Sequence, residues 1–268
     1  MIGFVLLLII GLVSATFGSI VGLGGGIIIV PALLYIAPIF LDKDIVTATA
    51  VGTSLTVLIF TALSSTLTFM KEKKVDFRSA WLFFITSGPG AMVGASLTGN
   101  FAPRPFELAF GIFMLLMAAL LILRTRWKPA SIDWRIKRTY TDGQGLDHTY
   151  GYNLPVALVV GFAVGFISGL FGIGGGSLFV PIMVLLFRYP PHVATATSMF
   201  VIFLSSILGS ATHGYHGEVD WYSVVALAPG AWIGGWLGAR IVRVMSGGAL
   251  LWTLRITLIV IAIKMIWG

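Results

Sequence analysis

The chain contains 268 residues, of which 57% are hydrophobic and 10% are charged, and its mean hydropathy is +0.99. Soluble domains carry about 25% charged residues, so this composition excludes a water-soluble fold of this length. The sequence has no cysteine, which excludes disulfides and thiol chemistry. We therefore predict an all-α polytopic membrane protein.

Ten apolar segments follow one another along the chain, and roughly 20 apolar residues cross a bilayer. The first five segments lie at about 3–21, 25–41, 45–70, 79–99 and 105–124. The second five lie at about 154–172, 175–187, 192–213, 221–244 and 249–267. We predict two transmembrane repeats, 1–124 and 154–268, joined by a polar cytoplasmic linker loop at 125–153 that has room for a short surface helix.

A glycine cluster interrupts the apolar sequence twice, at a separation of 150 residues. Residues 22–26 (Gly-Leu-Gly-Gly-Gly) precede Pro31, and residues 172–176 (Gly-Ile-Gly-Gly-Gly) precede Pro181. Each glycine inside a helix costs roughly 1 kcal/mol relative to alanine. A duplicated cluster therefore indicates a break that the protein uses.

Other motifs recur in the same order in both halves, which indicates a duplication. They are Thr53-Ser54 with Thr197-Ser198, Val75-Asp76 with Val219-Asp220, and the spaced glycines Gly90 and Gly94 with Gly230 and Gly234. We expect the spaced glycines to form close helix-packing seams. Five crossings per half would invert the second repeat relative to the first. Re-entrant hairpins at the glycine clusters, which would leave eight full spans, would preserve that inversion.

The distribution of Lys and Arg predicts the orientation in the membrane. Of the 17 Lys and Arg residues, 13 fall on the side opposite the termini, Lys43, Arg104 and Lys264 fall on the side of the termini, and Arg255 lies inside the last span. Because cytoplasmic loops are enriched in Lys and Arg, we predict a multi-pass protein of the cell inner membrane with both termini periplasmic or extracellular. The net charge of +7 then serves contact with anionic lipid, and we expect no nucleic acid partner.

The residues after each glycine cluster are predicted to begin a helix, and helix N-termini suit anions because they present free N–H groups and a positive dipole end. Two such ends from inverted halves would form an electropositive cradle near the membrane midplane. The alternative is that the glycines only permit a tight hairpin. The candidate substrate-binding residues are Gly24, Gly25, Gly26, Gly174, Gly175, Gly176, Ser177, Thr53, Ser54, Thr197, Ser198 and Arg255.

Two alternatives apply to the polar members of this set. The hydroxyl groups of the Thr-Ser pairs could instead bond between helices or back to the preceding turn. Arg255 could instead pair with Glu107 or with helix-end carbonyl groups.

The carboxylates argue against a proton or metal-cation carrier. Nine of the ten lie in predicted loops, and only Glu107 lies at the edge of a span, whereas such carriers usually need acidic residues within the membrane. The four histidines form no convincing ligand cluster. We expect no metal, no cofactor and no enzymatic activity.

The duplicated Gly-x-Gly-Gly-Gly-x-x-x-Val-Pro motif, the Thr-Ser pairs, and the Val-Asp-Phe/Trp step before a Pro-Gly-Ala-x-x-Gly helix resemble the TauE/SafE family. This resemblance implies export of sulfite, sulfoacetate or a related organosulfonate by a secondary carrier that works by alternating access. An anion channel on the same scaffold, or a carrier of another small carboxylate or sulfonate, remains an alternative. We expect a small anionic substrate and the lipid bilayer as partners, and homodimer formation is left open.

Overall fold

The computed structural model describes residues 2–41, 44–123, 134–141 and 146–267, which form eleven α-helices and one β-hairpin. The first half contains α1 (Ile2–Val21), α2 (Gly26–Tyr35), α3 (Ala37–Leu41), α4 (Thr47–Lys71), α5 (Phe77–Thr98) and α6 (Pro103–Leu123). The second half contains α7 (Leu154–Phe171), α8 (Gly176–Leu185), α9 (Pro191–Tyr215), α10 (Trp221–Val244) and α11 (Gly247–Trp267). Strands β1 (Ile136–Thr141) and β2 (Asp147–Tyr152) lie between the halves. The predicted all-α polytopic class is confirmed.

Most of these helices are long enough to cross a bilayer. Among the described residues, six helices qualify by length and composition, namely α1, α4, α5, α7, α9 and α10. Helices α6 and α11 contain 21 residues each. At 1.5 Å per residue each is about 31 Å long, which matches a hydrocarbon core of about 30 Å.

The helices that follow the glycine clusters are too short to span. Helices α2 and α8 contain 10 residues each, or about 15 Å of helix, which is half the thickness of the hydrocarbon core. This length favours the re-entrant alternative over ten full crossings. The prediction of one continuous segment at 25–41 was wrong, because α2 ends at Tyr35 and a separate α3 begins at Ala37. Pro38 stands in the first turn of α3. Backbone N–H groups there have no acceptor within the helix, so the missing N–H of proline costs no hydrogen bond.

Helices of the two halves pack across one another. Helix α1 lies along α10, α7 lies along α5, and the repeat partners α4 and α9 pack together at the centre. The predicted glycine seams are confirmed. A Cβ atom added at Gly90 or Gly94 in α5 would collide with the backbone of Phe162 or Phe166 in α7. Gly230, Gly234 and Gly238 of α10 face backbone carbonyl groups of α1 in the same way.

In the described part of the linker, residues 134–141 and 146–153, a β-hairpin forms where the sequence predicts a loop with room for a short surface helix. Strands β1 and β2 pair antiparallel, with Ile136 opposite Tyr152 and Thr141 opposite Asp147. Alternating Thr and Tyr residues favour strands, and Asp142-Gly143 in the sequence is a turn signal, although residues 142–145 lie outside the described residues. The hairpin is attached to the second half by a hydrogen bond of 3.0 Å from Gly151 N to the carbonyl oxygen of Phe187.

Candidate functional site

The two glycine clusters form turns with left-handed backbone. In the first glycine turn (residues 22–26), φ is +78° at Gly22, +78° at Gly24 and +100° at Gly25. In the second glycine turn (residues 172–176), φ is +69° at Gly172 and +61° at Gly174. Residues other than glycine rarely adopt these backbone angles. Each turn leads directly into the short helix α2 or α8, as the sequence predicts.

The two glycine turns meet around one pair of side chains. A Cβ atom added at Gly24 would lie 2.6 Å from Leu58 Cδ2 and 3.4 Å from Ile202 Cγ2. One added at Gly174 would lie 2.8 Å from Leu58 Cδ1 and 2.9 Å from Ile202 Cγ2. Leu58 comes from α4 and Ile202 from α9, and both side chains are buried. Gly24 and Gly174 therefore both pack against these two side chains in this structure.

The turns also touch directly, and the described cleft beside the first turn is small. A Cβ atom added at Gly26 would collide with the carbonyl oxygen of Gly172 in the other half. A cleft beside the first turn, lined by residues that include Phe17 and Ile28, measures only about 10 Å³. That volume is about one water molecule's. The structure therefore presents the turns in a closed arrangement.

Each turn is held by a serine of the opposite half. Ser54 Oγ donates to the carbonyl oxygen of Gly172 at 2.8 Å, and Ser198 Oγ donates to that of Gly22 at 3.2 Å. The Ser198 hydroxyl also lies 2.9 Å from the carbonyl oxygen of Thr195 in its own helix. Both serines are fully buried. In this state the predicted Ser54 and Ser198 thus bind backbone of the other repeat.

The neighbouring threonines make a second reciprocal pair of contacts. The Asp220 N–H donates to Thr53 Oγ1 at 2.9 Å, and the Asp76 N–H donates to Thr197 Oγ1 at 3.1 Å. Asp76 and Asp220 are the N-cap residues of α5 and α10. The Thr-Ser pairs therefore couple each half to the helix starts and glycine turn of the other.

One hydrogen bond to the preceding helix distinguishes the two glycine turns. In the second turn, the Gly175 N–H donates to Ser168 Oγ at 2.5 Å. The equivalent position in the first half, 150 residues earlier, is Gly18. That residue has no hydroxyl group to accept from Gly25. The first turn thus lacks a hydrogen bond that occupies one backbone donor of the second.

One predicted residue, Arg255, has no described contact with the turns, and a second, Ser177, directly follows the second turn. Arg255 is 9% exposed in α11, its guanidinium carbon lies 5.3 Å from the ring centre of Trp252, and its Nε has no hydrogen-bond partner among the described residues. None of the described hydrogen bonds or close glycine contacts joins Arg255 to either turn. No described ion pair joins Arg255 to Glu107, which pairs with Arg104 at 3.3 Å. Ser177 lies in the first turn of α8, and its side chain is outside the described set.

The linker hairpin covers Asp76 in a way that the sequence did not predict. Tyr150 Oη donates to Asp76 Oδ2 at 3.2 Å, and the hydroxyl groups of Ser79 and Tyr152 lie 2.8 Å apart. Burial and the adjacent Asp76 carboxylate raise the pKa of Tyr150 well above its usual range. The phenol therefore stays protonated and remains a donor. The alternation of Tyr150 and Tyr152 is the sequence pattern that could have predicted strand β2.

The described residues contain no group of three or more His, Asp or Glu side chains placed to hold a metal ion. What the fold and the turns define is a helical membrane protein with two broken helices facing each other at its centre. The family described as "Sulfite exporter TauE/SafE" matches residues 7–265. The chain belongs to that family.

The relatives carry transporter names. The chain is 48% identical over 266 residues to "Probable membrane transporter protein YunE" of Bacillus subtilis, with 98% of this chain and 97% of that protein covered. It is 31% identical over 226 residues to "Probable membrane transporter protein MJ0441" of Methanocaldococcus jannaschii, with coverage of 82% and 78%. No solved structure matches the chain. The family and these names indicate a membrane transporter rather than an enzyme.

Proposed function

We propose that this membrane transporter exports a small sulfur-containing anion, such as sulfite, sulfoacetate or a related organosulfonate, by alternating access. The observation that carries this proposal is the meeting of the two glycine turns around Leu58 and Ile202. Each turn begins a helix, so two helix N-termini converge on this point. The family description supports sulfite or a related anion as the cargo.

The electrostatics of the turns favour an anion. A helix N-terminus carries the equivalent of roughly +0.5 elementary charge, and away from water two such ends attract a negative solute strongly. The backbone N–H groups of glycine residues are open to close approach, because no side chain covers them. The carboxylates Asp76 and Asp220, which would repel an anion, are held at helix starts by Ser79 and Ser223.

The contact between the turns supports the assignment of this arrangement to one closed state of an alternating-access cycle. Leu58 and Ile202 pack against both turns, so cargo can enter only when these side chains withdraw from one side. The reciprocal Ser54–Gly172 and Ser198–Gly22 hydrogen bonds would hold this state. Breaking one of them at a time would open the site to one side at a time. A membrane potential that is negative inside favours anion export by roughly 2.3 kcal/mol per charge per 100 mV.

The test is anion flux in liposomes that contain the purified protein. Vesicles loaded with sulfite, sulfoacetate, taurine, sulfate or chloride are compared for saturable efflux and for stimulation by the same anion outside. We expect saturable, counter-transported flux of sulfite or a sulfonate. Flux that does not saturate, or that lacks counter-transport, would favour the channel alternative. The absence of flux with every sulfur-containing anion would refute the proposed cargo.

Leu58→Ala tests the location of the site, with Leu55→Ala as its matched control. Both leucines are fully buried in α4, but Leu55 packs near Gly209 rather than at the glycine turns. We expect Leu58→Ala to change the flux or the apparent affinity several-fold more than Leu55→Ala does. Equal effects of the two substitutions would remove the support that this geometry gives to the site.

A further inference from the structure

A cationic pocket lies away from the glycine turns, where α4, α10 and the linker hairpin meet. Its volume is about 610 Å³, within the range of about 300–1,000 Å³ found for ligand sites. The end of α4 contributes Thr68, Lys71, Glu72 and Lys74; α10 contributes Trp236, Arg240 and Arg243; and β1 contributes Tyr140. We call this the linker pocket.

The linker pocket has an excess of positive charge. Four cationic side chains line it with a single carboxylate, and that carboxylate, Glu72, is paired with Lys74 at 2.6 Å. Within the described part of the chain, Lys71, Arg240 and Arg243 have no ion-pair partner. Like charges around one concavity repel each other, and a bound anion relieves that repulsion.

The positions of the arginines suit an oxyanion better than a halide. Arg240 and Arg243 stand three residues apart on α10, so they face the same side of the helix. The Arg240 guanidinium carbon lies 3.9 Å from the ring centre of Trp236, and this stacking restrains it. Guanidinium groups donate several N–H bonds in a fixed planar fork, which matches the oxygens of a tetrahedral anion.

We propose that the linker pocket binds a tetrahedral oxyanion, either a free sulfate-like or phosphate-like solute or the phosphate of an anionic lipid headgroup. Its walls come from both halves and from the segment that joins them, so a bound oxyanion holds α4, α10 and β1 together. Because the pocket is separate from the glycine turns, this proposal does not rest on the identity of the exported anion.

The experiment compares two double variants that each remove two positive charges. Lys71→Gln with Arg243→Gln removes cations of the pocket. Lys73→Gln with Arg78→Gln removes exposed cations, one in the loop after α4 and one in the first turn of α5, that do not line it. Both doubles and the original chain are first compared for unfolding temperature in uncharged detergent without added anion, which shows that the variants are folded.

Two probes then distinguish the sources of the oxyanion. Sulfate binding is measured by titration against chloride at equal ionic strength, and lipid retention is measured by native mass spectrometry after purification from phosphatidylglycerol or phosphatidylcholine nanodiscs. We expect the pocket double to weaken sulfate binding, phosphatidylglycerol retention, or both, at least about tenfold, and the control double to change them less than twofold. Loss of sulfate binding identifies a free oxyanion, and loss of phosphatidylglycerol retention alone identifies a lipid. Equal losses in both doubles, or no preference for either probe over chloride and phosphatidylcholine, would overturn the proposal.

Discussion

Ser54 donates a hydrogen bond to the carbonyl oxygen of Gly172, and this contact joins the N-terminal third of α4 to the glycine turn of the other half. Its counterpart, from Ser198 to Gly22, has the same form but is longer, at 3.2 Å instead of 2.8 Å. Ser198 also shares its hydroxyl group with the carbonyl of Thr195. Equivalent serine hydrogen bonds therefore join the two halves, and the bond from Ser54 is the shorter of the two.

We expect Ser54→Ala to lower the free energy of unfolding by about 0.5–2 kcal/mol, because it leaves the buried Gly172 carbonyl without this donor. Ser198→Ala should cost less, since its interhelical bond is longer and shared. The measurement is thermal unfolding in detergent, with Ser96→Ala as the control. Ser96 is exposed and bonds only within its own helix. A larger loss from Ser198→Ala than from Ser54→Ala would contradict this ranking.

The Ser168 hydroxyl accepts from the Gly175 N–H inside the second glycine turn. Ser168→Ala should lower the free energy of unfolding by about 1–3 kcal/mol, because a buried backbone donor loses its acceptor. Ser14→Ala is the matched control: Ser14 is equally buried, and its hydroxyl only bonds back to Gly11 in the same helix. Thermal unfolding of both variants checks the difference, and equal losses would show that the bond to the turn has no special weight.

Gly→Ala substitutions inside and outside the α5–α7 seam should change the free energy of unfolding in opposite directions. At Gly94, an added Cβ atom collides with the Phe166 carbonyl and lies 2.8 Å from Leu170 N, so Gly94→Ala should destabilise by about 1–3 kcal/mol. At Gly214, inside α9, an added Cβ meets nothing within 4 Å. Gly214→Ala should therefore stabilise by up to about 1 kcal/mol through helix propensity. Unfolding temperatures that move in the same direction would disprove this account of the seam.

Arg255 combines near-complete burial with an unpartnered Nε atom among the described residues. An arginine inside a span usually faces a cavity or a partner, so we expect Arg255→Met to slow anion flux in liposomes at least about tenfold. Stability should change by less than about 1 kcal/mol, because an apolar residue of similar length is often neutral at such a site. Unchanged flux with a large loss of stability would instead assign Arg255 a packing role against Trp252.

The sequence predicted the features that depend on local chemistry. Glycine clusters marked the broken helices because adjacent glycines are poor helix formers, and the spaced glycines of α5 and α10 marked the seams because small residues allow close helix contact. The duplicated Thr-Ser pairs make hydrogen bonds between the two halves, as in the alternative that the sequence left open, and their contact with substrate stays a prediction. Their observed partners, the backbone of the opposite half, depend on how the repeats cross, and no local pattern specifies that.

The linker hairpin and the division between α2 and α3 were missed for a similar reason. The polar composition of residues 125–153 does not by itself predict two strands. One face of the strand pair is buried because it packs against Phe187 and Asp76, which lie outside the linker. The end of α2 at Tyr35 lies within an apolar run, where hydropathy alone carries no stop signal. The inverted relation of the repeats and the orientation of the termini stay predictions.

Because α1 packs against α10, the fold cannot be completed until both helices have been synthesised. A ribosome delivers α1 first and α10 almost last, so the face of α1 that packs against the α10 glycines must wait in the membrane for its partner until synthesis is nearly complete. A product that stops at the linker would keep that face, and the matching face of α5, without α10 and α7. We therefore expect such truncated chains to be degraded. The two repeats should regain stability when they are co-expressed as separate polypeptides.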